Sequence, residues 1–139
     1  MNQCTTPVSC YTDGASRGNP GPSAYAFILV KSGVQIGEGS RYLGQGTNNS
    51  AEYQAIIHGL SAAAAMSCDE IAVFSDSELV IRQILGEYAV RAPHLRGMLQ
   101  EVRQLSARFR TVTFTRVPRE NPWIARADRM CNDILDLEG

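Results

Sequence analysis

The stretch "YTDGASRGNPGPSAYAFILV", residues 11–30, constrains this chain more than any other. A β-like run ends on a carboxylate, Asp13. A turn crowded with glycine and proline follows, and then a second apolar run. Strands bury hydrophobes, so an acid at the end of one marks either a turn or a place where charge is wanted.

The rest of the chain supplies partners for these two runs. Residues 7–13, 23–31 and 33–43 read as three strands, with the Ser32-Gly33 pair marking a tight hairpin between the second and third. Residues 49–67 read as a helix, and "NSAE" fits a capping box with Asn49 as the cap and Glu52 three positions on. "EIAVFSD", 70–76, is a short strand ending in a second acid, Asp76, and a helix starts at 77–85. Residues 93–109 form an amphipathic helix with Leu95, Met98 or Leu99, Val102 and Leu105 inward. Residues 111–117 alternate as a strand, and 122–137 form a last helix with proline in its first turn. The order βββαβααβα predicts an α/β domain, a mixed sheet with helices on its faces.

At 139 residues and 44% hydrophobic composition the chain suits one domain spanning 1–139, with no repeat, linker or low-complexity tract. "MNQCTTPVSC" lacks the basic start and apolar core of a signal peptide, and no run approaches a membrane span. Cys4, Cys10, Cys68 and Cys131 show no metal-binding spacing and read as inert thiols of a cytoplasmic protein, with their spacing also compatible with a disulfide. Net charge is −1, yet residues 1–90 hold four basic and eight acidic side chains, while 91–139 hold nine arginines and six acids. Arginine suits bidentate phosphate contacts, although charge alone also describes a solvated helix surface.

If the strands ending at Asp13 and Asp76 are parallel neighbours, both carboxylates lie at the sheet's carboxyl edge, where open α/β sheets bind ligands. Close carboxylates repel, and a divalent cation relieves the repulsion; all-oxygen ligands suit Mg²⁺ or Mn²⁺. Glu52 and Asp128 could complete a four-acid cluster. Each acid also has an ordinary structural use: Glu52 in the capping box, Asp128 at a helix dipole, Asp76 as an N-cap, Asp13 in an Asx turn.

"YTDGASRGNPGP", "TNNSAEYQAI", "FSDSELV" and "ADRMCN" together resemble the motifs of type 1 ribonuclease H, over nearly the whole chain. The resemblance implies a ribonuclease H-like fold, a five-stranded mixed sheet of order 3-2-1-4-5 flanked by helices. It implies endonucleolytic hydrolysis of the RNA strand of RNA–DNA hybrids, leaving 3′-hydroxyl and 5′-phosphate ends, with two Mg²⁺ bound by Asp13, Glu52, Asp76 and Asp128. It assigns Asn19, Asn48 and Asn49 to the hybrid's minor groove and Thr47 to a phosphate of the DNA strand. Its partner is the hybrid, with no membrane and no obligate protein partner.

The chain departs from well-known bacterial members in three ways. "GEYAVRAPHL" replaces a Lys- and Trp-rich protrusion, which implies weaker and more salt-sensitive binding. Glu78 stands where many members are neutral. The loop "RVPRENPWIARAD" has no histidine before the last acid, so Arg119 is the natural substitute, and His58 and His94 lie elsewhere. Two other readings compete: a non-catalytic hybrid- or duplex-binding module, and a nuclease of the same superfold such as a transposase or junction-resolvase core. Four retained acids argue against the first, because negative charge facing phosphates weakens binding. The asparagine set argues against the second.

Overall fold

The structure, a computed structural model, describes residues 7–139. Cys4 and most of the stretch read against a signal peptide lie outside the described residues. The elements follow the expected order: β1 Val8–Ser16, β2 Gly21–Lys31, β3 Val34–Gly46, α1 Asn48–Ala65, β4 Glu70–Ser75, α2 Glu78–Ile84, α3 Pro93–Ser106, β5 Thr111–Arg116 and α4 Pro122–Glu138. The sheet has the order β3-β2-β1-β4-β5, with β1–β2 and β2–β3 antiparallel and β1–β4 and β4–β5 parallel.

Strand β2 shows why the sheet carries helices on both sides. Its run "AYAFILV" is apolar at every position, which suits a strand buried on two faces. Tyr25, Phe27 and Leu29 join a core with α1, α2 and α3, while Ala24, Ala26, Ile28 and Val30 join a second core with α4. Ser32 and Gly33 turn the chain into β3 with φ of 53° and 78°, the left-handed pair that a two-residue hairpin requires.

Helix α1 is buried along most of its length, at Tyr53, Ile56, Leu60 and Ala63 among others, because it lies between the sheet and α3. Helix α3 turns Leu95, Leu99 and Val102 inward, and Met98 and Leu105 pack at the edge of the core. Helix α4 presents Ile124, Ala127, Cys131 and Leu135 to the opposite face at helical spacing.

One expectation is corrected. The cap of α1 is Thr47, not Asn49, and the reciprocal partner is Ser50, not Glu52. Thr47 is extended, its Oγ1 accepts the Ser50 amide at 3.1 Å, and its own amide donates to Ser50 Oγ at 3.0 Å. Asn48 and Asn49 are already helical, so the box closes two residues earlier than the Asn/Glu reading requires, and Glu52 is released from capping. Cys10 and Cys131 are free and buried, and Cys68 is disulfide-bonded, the alternative that the spacing left open. No helix among the described residues is long and apolar enough to cross a membrane.

Candidate active site

The parallel pairing of β1 with β4 builds the site. Tyr11 lies opposite Phe74, and Thr12 Oγ1 donates to the Phe74 carbonyl at 3.0 Å. Asp13 and Asp76 each stand two residues beyond that pair, so they emerge side by side at the carboxyl edge of the sheet. Helix α1 adds Glu52 from above. The Gly14 amide donates to Glu52 Oε1 at 3.0 Å, which ties the acid to β1. This approach needs glycine: a Cβ on Gly14 would sit 2.3 Å from the Ala51 carbonyl carbon and the Glu52 nitrogen.

One carboxylate oxygen from each of Asp13, Glu52 and Asp76 lies within 4.8 Å of the other two. Asp128, on α4, lines the same cleft of about 390 Å³, together with Gly14, Ala15, Asn48, Ser77 and Arg119. The ordinary uses of these acids fail one by one. Asp13 is inside β1, paired with Ala26, and not in a turn. Asp76 is not a cap, because Ser77 Oγ accepts the Val80 amide. Asp128 lies beyond the first turn of α4, whose start Asn121 caps, and the helix dipole acts chiefly within that turn.

The electrostatics are those of an acid cluster with too little compensating charge. Asp13 and Glu52 are 5% and 4% exposed, which is costly for carboxylates. Burial, then the negative charges of Asp76 and Asp128, push the Asp13 carboxyl up to about 8. Burial and the charges of Asp13 and Asp76 hold Glu52 well above the usual range. Burial also raises Asp76, against the opposing pull of the Arg119 guanidinium. Asp13 Oδ2 is buried and has no hydrogen-bond partner among the described residues. An unpartnered buried carboxylate oxygen among converging acids fits a hard divalent cation.

Arg119 sits in the β5–α4 loop and is the cation that most offsets the charge on Asp76. Asn19 Oδ1 accepts the Asn48 amide at 3.0 Å, which fastens the β1–β2 turn to the start of α1. Asn48 lines the cleft, whereas Asn19, Thr47 and Asn49 do not. His58 stacks on Tyr25 with ring centroids 4.7 Å apart, and His94 is exposed at the start of α3; neither lines the cleft. Glu78 pairs with Arg82 at 2.9 Å on the exposed side of α2.

A family described as reverse transcriptase-like matches residues 11–131. The crystal structure of ribonuclease H1 from the halophilic archaeon Halobacterium salinarum superposes with a TM-score of 0.89 at 42% identity, covering 93% of this chain and 97% of that one. The chain belongs to the type 1 ribonuclease H family. A second ribonuclease H1, LC11, solved in complex with an RNA/DNA hybrid, matches at 35% identity and a TM-score of 0.86, covering 94% of this chain and 97% of that one. The chain spans 64% of the curated Halobacterium ribonuclease HI, at 42% identity, and 34% of a Mycobacterium tuberculosis bifunctional protein, at 36%.

Sequence reasoning for this ribonuclease H domain missed Gly14 and Asn132. The Asp13-Gly14 pair was the available signal for the first. Asn132 ends the run "ADRMCN", and its place four residues after Asp128 on one helix was the signal for the second.

Proposed function

We propose that this domain hydrolyses the RNA strand of RNA–DNA hybrids at the carboxylate cleft. The observation that carries the reading is the convergence of Asp13, Glu52 and Asp76 on one point, with a buried carboxylate oxygen left without a partner. The hybrid held by the LC11 relative supports the same substrate here.

In this reading Asp13, Glu52, Asp76 and Asp128 hold two Mg²⁺, for which Mn²⁺ can substitute. When bound, the ions supply Lewis acidity to the attacking water and the leaving 3′ oxygen. Without cations the buried Asp13 and Glu52 carboxyls favour their protonated form, and a bound cation takes the place of those protons. The guanidinium of Arg119 binds a phosphate oxygen at the scissile group, a bidentate contact that arginine makes well. Asn19, Asn48 and Asn49 accept and donate at 2′-hydroxyls, the groups that distinguish RNA from DNA. Thr47, at the helix start, holds a phosphate of the DNA strand. Water attacks phosphorus, the P–O3′ bond breaks, the 3′ oxygen leaves as a hydroxyl and the 5′ end keeps the phosphate. A single domain acting in the cytoplasm is part of the same proposal.

End-group analysis tests the chemistry. Products from hybrid cleaved in Mg²⁺ should carry 5′-phosphate and 3′-hydroxyl, and EDTA should abolish them. Cyclic-phosphate or 3′-phosphate ends would exclude this mechanism.

A further inference from the structure

Asn132 lies one helical turn beyond Asp128, and its side-chain amide makes two contacts with that residue. Nδ2 donates to the Asp128 carbonyl at 3.1 Å and to the carboxylate Oδ2 at 3.3 Å. The main-chain carbonyl of Asn132 accepts from Arg17 Nη2 at 3.4 Å, and Arg17 also pairs with Asp136 at 2.6 Å. The main chain at 132 thus meets the β1–β2 turn, while the Asn132 side chain is given wholly to Asp128, the acid at the cleft's open side. Asp128 needs such help. Asp13 and Glu52 are fixed by burial, whereas Asp128 is half-buried on an otherwise solvated helix face.

We infer that Asn132 is a positioning residue that fixes the Asp128 carboxylate for cation binding, a role that rests on the proposed function of the cleft. The chemistry of the amide suits the task. It is a neutral donor, so it restricts the carboxylate's rotation without competing for its charge. A lysine or arginine here would neutralise the acid, and an aspartate would repel it. The amide binds one oxygen and leaves the other for the cleft. A hydrogen bond of this kind acts through geometry, as the supporting partners of metal ligands do elsewhere.

The test separates positioning from simple helix support. Mg²⁺ binding is titrated by calorimetry without substrate, beside hybrid-cleavage kinetics, for wild type, Asn132→Ala, Asn132→Gln, Asp128→Ala and the Asp128→Ala/Asn132→Ala double variant. Glutamine can bond to an aspartate one turn away on a helix. The expected result is about a three- to tenfold weaker Mg²⁺ midpoint and a similar fall in kcat for Asn132→Ala, an order typical of losing a ligand's supporting partner. KM should be unchanged, Asn132→Gln should restore most of both, and Asn132→Ala should add nothing once Asp128 is alanine. Equal Mg²⁺ midpoints in wild type and Asn132→Ala overturn the inference. So does a further loss of kcat in the double variant. If wild-type protein binds Mg²⁺ but cleaves no hybrid, the proposed function fails while the Mg²⁺ midpoints still decide the role of Asn132.

Discussion

The Gly14 amide and Glu52 Oε1 are 3.0 Å apart, and the backbones behind them approach too closely for any Cβ at position 14. The bond that anchors the deepest acid therefore depends on a residue with no side chain. Gly14→Ala should push α1 off β1 and destabilise the fold by about 1–3 kcal/mol, the usual cost of overpacking. It should also lose more activity than the fraction unfolded explains. Circular dichroism melting and single-turnover cleavage on the same sample check both. A variant with wild-type melting and wild-type rate would show that the close approach is not needed.

Asp76→Asn should remove nearly all cleavage while hybrid binding holds or improves. The substitution removes a cation ligand and also one negative charge near the phosphates. Turnover and affinity measured in one buffer decide it. Activity above about a tenth of wild type would take Asp76 out of the cation site, since losing an essential electrostatic group costs on the order of a hundredfold or more.

The raised carboxyl of Asp13 makes the metal-free protein pH-sensitive. Its value rises from an ordinary 3.8 to about 8 on folding. Between those values the native state holds more protons than the unfolded one, so this group's contribution falls as pH rises. It is fully present below the lower value and is lost as pH climbs through the upper one. In EDTA, Asp13→Asn should therefore melt several degrees above wild type at about pH 8, and the gap should shrink towards about pH 4. Mg²⁺ should raise the melting temperature of wild type more than that of the variant. A gap that does not change with pH would contradict the burial of charge at Asp13.

Arg119→Ala should slow turnover by about one to two orders of magnitude, the scale of one charge-assisted contact to a reacting group. Arginine stays protonated at all working pH values, so the rate profile should show no limb near ~6.5 from a histidine. His58→Ala and His94→Ala should run close to wild type. A crippled histidine variant beside an unaffected Arg119→Ala would reverse the assignment.

The fold was readable because its signals were local. Alternation marked β1 and β5, the Ser32-Gly33 turn marked one hairpin, helical spacing marked α3, and a first-turn proline marked α4. The acids were readable as strand ends and helix positions, but their convergence was not. That depends on the register of β1 against β4 and on the passage of α1 over Gly14, both set by tertiary packing. The cap of α1 is ambiguous in the sequence because Asn49–Glu52 and Thr47–Ser50 both fit the spacing of a capping box. Backbone geometry chose the earlier pair. Asn132 closes the run "ADRMCN", but its contact with the Asp128 carboxylate depends on side-chain placement along α4 that the run does not specify.

The most direct measurement incubates the protein with hybrids labelled on either strand, double-stranded DNA, single-stranded RNA and a hybrid lacking the 2′-hydroxyls beside the cut. Each is run with Mg²⁺ and with EDTA. The account predicts Mg²⁺-dependent cuts in the RNA strand of the hybrid alone, slowed where the 2′-hydroxyls are missing. Cleavage of the DNA strand, equal rates on the deoxy-substituted strand, or no hybrid cleavage in Mg²⁺ would contradict it.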